Sequence, residues 1–308
     1  MMYLRPWQLS VLLAGLCLIL LAVVIYWRYD DQTTNAALLE RLPNQDTAIH
    51  LFVDIQRLRQ VGLLELLSGS RAAEETDYRQ FVEDTRFDYR QDLDAVIASF
   101  VYGDSVFLLR GRFEWDQIQR TALRSGARCV NGYCQMETRR AGRFLSFYPV
   151  YPNVLAVGIG STGNVASSVM ARRKGSLNYD PPAMPFWISA AGPAIEKADL
   201  LPVGGKTLIS AVKGARRVIF GIGEVPAGMA ARMEAVFAAA PEAGACRDHL
   251  DQMTEMLRKF LARAAKSPDP GEFAGVLAAG KFQQSAAKVI GQWPIERAFL
   301  ESLADGAR

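Results

Sequence analysis

Nineteen consecutive residues, Leu9 to Trp27, carry no charge. As a helix rising about 1.5 Å per residue, the run is roughly 28 Å long, which matches the roughly 30 Å hydrocarbon core of a bilayer. It predicts a single membrane-spanning helix. Arg5 and the α-amine lie on one flank, and Arg28, Asp30 and Asp31 lie on the other. The positive-inside rule then sets the N-terminus in the cytoplasm and the rest of the chain outside the inner membrane. A cleaved signal peptide is the competing reading, but such segments are shorter and end in small residues. Here the run ends in Tyr26 and Trp27, which read as interfacial anchors.

The cysteines agree with export. Cys129 and Cys134 flank Val130-Asn131-Gly132-Tyr133. Asn-Gly favours a type I′ hairpin, because both turn positions need positive φ. Val130 would then oppose Tyr133, and Cys129 would oppose Cys134 at about 4.5–5.5 Å, within disulfide reach. A Cys129–Cys134 bridge is therefore predicted. Cys246 is left over and is expected to be buried.

Beyond the anchor (residues 1–29) and a linker (30–41), element order suggests two units, 42–180 and 181–308. In the first, strands are expected at 49–55, 95–102, 105–110, 143–150 and 153–158. Helices are expected at 56–67, 72–84, 115–125 and about 164–172. The stretch Asp180-Pro181-Pro182-Ala183-Met184-Pro185 separates the units. The second repeats the order, with strands at 186–189, 207–212, 217–222 and 230–238 and helices at 193–198, 245–266 and 295–303. Met253, Met256, Leu257, Phe260, Leu261 and Ala264 recur at helical spacing and read as a core stripe. The predicted fold is α+β: an N-terminal transmembrane helix, then two weakly similar halves with mainly antiparallel sheets covered by helices.

Leu42-Pro43…Asp46-Thr47, then Val53-Asp54 and Leu58-Arg59, resembles the opening of an uncharacterised family of membrane-anchored bacterial envelope proteins. Thr85-Arg86-Phe87-Asp88…Asp92-Leu93 is similar to a second stretch of that family, which usually has glycine where Arg86 stands. The resemblance implies an envelope location and a duplicated α+β body. It implies no activity and no catalytic residues.

Gly158-Ile159-Gly160-Ser161-Thr162-Gly163 spells G-x-G-x-x-G between a strand and a helix. A dinucleotide fingerprint needs that context and also an acidic residue about 20 positions on. Asp180 has the distance but sits beside Pro181-Pro182. The glycines therefore read as a tight strand-to-helix turn, with Ser161 or Thr162 as cap. His50 lies among apolar strand residues and reads as a satisfied histidine. Cys246 and His249 share a helix face, but two ligands do not make a zinc site. No nucleophile elbow, metalloprotease helix or phosphate loop is present. Lys and Arg total 35 against 32 Asp and Glu, with the basic pairs scattered, which argues against nucleic acid.

These readings predict a non-enzymatic, single-pass envelope protein. Its partners would be membrane lipid, through the N-terminal helix, and another envelope protein. No cofactor, metal or catalytic residue is assigned. A small-molecule or lipid-binding module is the alternative. An enzyme with a dispersed site (Asp54, Asp88 and His50) is the third reading.

Overall fold

The computed structural model describes residues 32–43, 47–64, 76–101, 103–170, 177–196, 211–226, 228–263 and 269–306. A short helix, α1 (Asn35–Leu39), precedes strand β1 (Ile49–Asp54), which runs directly into α2 (Ile55–Gln60). Helices α3 (Thr76–Thr85) and α4 (Tyr89–Asp92) lead to the hairpin of β2 (Leu93–Val101) and β3 (Asp104–Gly111). Helix α5 (Trp115–Arg124) follows. Next come β4 (Arg128–Val130), β5 (Tyr133–Glu137), β6 (Phe144–Tyr151) and β7 (Val154–Gly160). A 3₁₀ helix (Val165–Val169) then turns the chain back. The remaining elements are β8 (Phe186–Ala191), α6 (Gly192–Glu196), β9 (Arg217–Val225), β10 (Gly228–Val236) and the long α7 (Ala240–Arg263). Helix α8 (Phe273–Ala278), β11 (Lys281–Ser285), β12 (Lys288–Ile295) and α9 (Arg297–Gly306) follow.

The strands form one antiparallel sheet ordered β11-β12-β10-β9-β8-β1-β2-β3-β7-β6-β5-β4. The order mirrors itself about the β1–β8 pair. Outward from β1 come the two strands of one hairpin, β2 and β3, and then a later hairpin, β6–β7, whose second strand pairs with β3; outward from β8 the hairpins β9–β10 and β11–β12 repeat this, with β12 on β10. The β4–β5 hairpin is extra on the first side. Pairing of β1 with β8, from Ile49↔Ala190 to Val53↔Phe186, makes the two sides a single sheet. The fold is thus mixed α+β with an antiparallel sheet, as the element order predicts.

Strand alternation divides the core in two, because successive side chains point to opposite faces. On one face, here called A, Val53, Val96 and Leu109 join a cluster built from α2, α7, α8, α9, β10 and β12. On the other, face B, Phe52, Ile97, Leu108 and Trp187 pack beneath α1 and the 3₁₀ helix. Each such large side chain fully buried stabilises by roughly 1.5–3 kcal/mol. Trp187 is 1% exposed and stacks on Phe52.

Several expectations are corrected in detail. Residues 165–169 form a 3₁₀ helix, not the α-helix expected over 164–172. Ala211 and Val212 lie in a helical turn, not a strand. Of the α7 stripe, Leu261 is buried, whereas Met256 and Phe260 are exposed at 63% and 67%. The helix approaches the sheet through Ala243, Cys246, Leu250, Thr254 and Leu261, which leaves Met256 and Phe260 outside. The last helix starts at Arg297, because Ile295 still belongs to β12. The parts of the expected elements at 65–67, 72–75, 102, 171–172, 197–198, 207–210 and 264–266, and the apolar run with Tyr26 and Trp27, lie outside the described residues. Among the described residues no helix is long and apolar enough to cross a membrane.

Candidate functional site: a polar cluster at the centre of the sheet

The central strands carry polar residues at positions where alternation demands apolar ones. His50 has the parity of Phe52, Ser99 that of Ile97, Ser189 that of Trp187, and Arg217 that of Ile219. The register aligns Ser189, His50 and Ser99 side by side across β8, β1 and β2. All are sealed from solvent, with exposures of 0%, 1% and 1%. Unsatisfied polar groups at such depth would each cost about 1–3 kcal/mol.

The cluster satisfies itself. The Nε2–H of His50 donates to the Pro43 carbonyl at 2.7 Å, and the hydroxyl of Ser99 donates to the same oxygen at 2.9 Å. A carbonyl only accepts, so Nδ1 carries the lone pair and accepts from the Tyr179 hydroxyl at 2.8 Å. Arg217 donates to the Ser189 hydroxyl at 3.0 Å and to Asn178 Oδ1 at 2.9 Å. Its guanidinium lies 4.5 Å from the centroid of the Tyr179 ring. Burial, assisted by the Arg217 charge, holds His50 below its ordinary pKa of 6.5, although the Pro43 hydrogen bond opposes this. The imidazole is therefore neutral at physiological pH. Burial pushes the Tyr179 phenol up to about 12, against the opposing pull of Arg217 and Ser189. Two segments from outside the strands, Leu42-Pro43 and Leu177–Tyr179, are thus fastened to the middle of face B.

Asp54 and Asp88 have other work. Asp54 caps α2 by accepting from the Arg57 amide at 2.9 Å. Asp88 caps α4 through the Arg90 amide and accepts from the Tyr78 hydroxyl. The predicted bridge is present: Cys129 and Cys134 are disulfide-bonded with Cα atoms 4.1 Å apart, in the expected register. Asn131 and Gly132 both take positive φ, 50° and 79°.

The G-x-G-x-x-G glycines are filled by the chain itself. A Cβ on Gly158 would collide with the backbone of Val165 and Ala166, and one on Gly160 with Asp104 and Val165. They let the 3₁₀ helix lie directly on β7. Ser161 and Thr162 do not cap it; its N-cap is Asn164, without a side-chain bond.

Cys246 and His249 line an open cleft of about 410 Å³ between the start of α7 and Ala211–Gly214, with Lys213 and Glu242 at its rim. Burial raises the Cys246 thiol to about 11. No group of three or more metal-ligating side chains occurs among the described residues.

Sequence reading singled out His50 but missed Ser99, Ser189, Tyr179 and Arg217. The legible sign was parity: each of the three strand residues is polar at an inward position. Pro43 and Tyr179 carry no such sign, because loop residues have no alternation to violate.

No family model and no curated protein matches the chain. Similar solved structures include crystal forms I and IV of TP0453, each 10% identical. Their TM-scores are 0.48 and 0.47, over 87% of this chain and 96% and 95% of that one.

Proposed function

We propose that the chain is a membrane-tethered, non-enzymatic interaction module, with residues 9–27 spanning the inner membrane and the body presenting a surface to another envelope protein. The observation that carries this reading is the docking of α1. Asn35 is eight residues beyond Trp27, a reach of at most about 28 Å when extended. Leu38, Leu39 and Leu42 are already buried on face B, and Pro43 is clamped by His50 and Ser99. On this reading the body hangs close to the bilayer with face B toward it and face A outward. Tyr26 and Trp27 sit at the interface. The disulfide suits an oxidising compartment, and the mirrored strand order suits a duplicated unit split near residue 180. Both ring nitrogens of His50 are committed to internal bonds, and Asp54 and Asp88 are committed to caps, which supports a non-catalytic role.

Native mass spectrometry of the full-length chain, released gently from its own membranes, tests this. Reproducible extra mass of protein size is expected; a bare monomer overturns the reading. The cleft beside Lys213 and His249 favours a second reading, a small-molecule module, which a small adduct would support.

A further inference from the structure

The two sides of the sheet differ in how face A is covered. On the β8 side, the 24-residue α7 lies across β12 and β11, and its buried residues share one core with Val289 and Trp293. Its topological counterpart, α5, has 10 residues and packs against α3 and β4 instead. Among the described residues no helix is centred on face A of β3, β7 and β6, where Phe107, Val157, Phe147, Leu145 and Ile159 lie, joined by Phe100 from β2. The register places Phe107, Val157 and Phe147 in one row, with Ile159 beside Leu145 in the next. Phe100 meets Phe107 edge-on. All six are only half-buried and belong to neither core cluster. A contiguous apolar strip of this kind marks an interaction site more often than an isolated exposed side chain does.

The end of the strip says what chemistry it meets. The β5–β6 connection, directly beyond Leu145, carries Arg139, Arg140 and Arg143. None of these has an ion-pair partner among the described residues. An apolar sheet strip that, among the described residues, lacks the helix its counterpart has, and that ends at three cations with no ion-pair partner there, fits an amphipathic helix with acidic side chains near one end.

We propose that this strip docks such a helix from a partner protein. The proposal rests on the interaction reading above and places that interaction on the outward face.

The test uses the full-length chain in its own membranes, with the photoreactive residue p-benzoylphenylalanine at position 147. The expected result is one protein adduct whose cross-linked peptide is helical, with an apolar stripe and at least two Asp or Glu. Reversing the three charges (R139E, R140E, R143E), none of which belongs to either core, should lower the yield about tenfold. An adduct only to lipid, or only to a second copy of this chain, overturns the proposal. So does a peptide without acids, a yield unmoved by charge reversal, or the same adduct from the probe at Arg232 on face B. If position 147 gives no adduct while native mass spectrometry still records a bound protein, this site is wrong and the interaction reading stands. A bare monomer would remove that reading itself.

Discussion

Replacing His50 by glutamine should flatten the pH dependence of stability between pH 7.5 and 5.5. In the folded chain burial keeps the imidazole neutral, its pKa held below 6.5. The unfolded chain takes up a proton at about 6.5, so it binds more protons than the folded one as the pH falls. Stability is therefore full above pH 6.5 and is lost as the pH drops below it, until the folded pKa is reached. If the folded chain excludes the proton throughout, the loss from pH 7.5 to 5.5 is about 1.4 kcal/mol. In the His50→Gln variant the new side chain offers an amide N–H to the Pro43 carbonyl but cannot be protonated. The variant's absolute stability should drop by about 1–3 kcal/mol, because the Tyr179 hydroxyl loses a well-placed acceptor. The assay is urea unfolding followed by tryptophan fluorescence, for which the buried Trp187 beside Tyr179 is a reporter. With a slope of about 3 kcal/mol per molar, the wild-type midpoint should fall by about 0.5 M more than the variant's over this range. Every titrating group other than residue 50 is common to both proteins and cancels. Equal pH dependence in the two, or a wild type that gains stability on acidification, would refute the argument that His50 is held neutral.

Three further outcomes follow from other parts of the molecule. Replacing Cys129 and Cys134 by serine should cost about 2 kcal/mol in thermal or urea unfolding and leave the fold intact, since the bridge closes only a short loop. Gly158→Ala should cost about 3 kcal/mol, because its Cβ meets the backbone of Val165 and Ala166, which cannot step aside. Gly126→Ala, where nothing lies within 4 Å, should lose only what its positive φ requires, and so should melt closer to wild type than Gly158→Ala. Cys246, raised to about 11 by burial, should resist iodoacetamide at pH 7.5 and react on unfolding in urea, as read by peptide mass spectrometry. Rapid labelling of the folded chain at pH 7.5 would refute a raised thiol pKa.

Local chemistry was legible where one interaction decides the geometry. Asn131-Gly132 and Gly103 announced their hairpins, because few residues tolerate positive φ. The order of strands and helices was also readable, since alternation and helical spacing are short-range patterns. The long helix was half-readable: periodicity found it, but of its buried residues Ala243, Cys246, Leu250, Thr254 and Leu261, a search for large apolar residues passes over the first two and Thr254. Pairing of β1 with β8 left no local trace, because more than 130 residues separate the partners. The central cluster follows from that pairing, so only its strand members could be suspected from sequence, by their polar side chains at inward positions.

The same pairing has a consequence for biogenesis. β1 is among the first strands to be synthesised, yet one of its two edges finds no partner until Phe186–Ala191 has emerged. Through that interval the backbone of Ile49–Val53 is an open template for any extended chain nearby, and such edges are where aggregation starts. Nascent chains arrested near residue 180 should therefore be the ones that need a chaperone, and release beyond residue 191 should end that need.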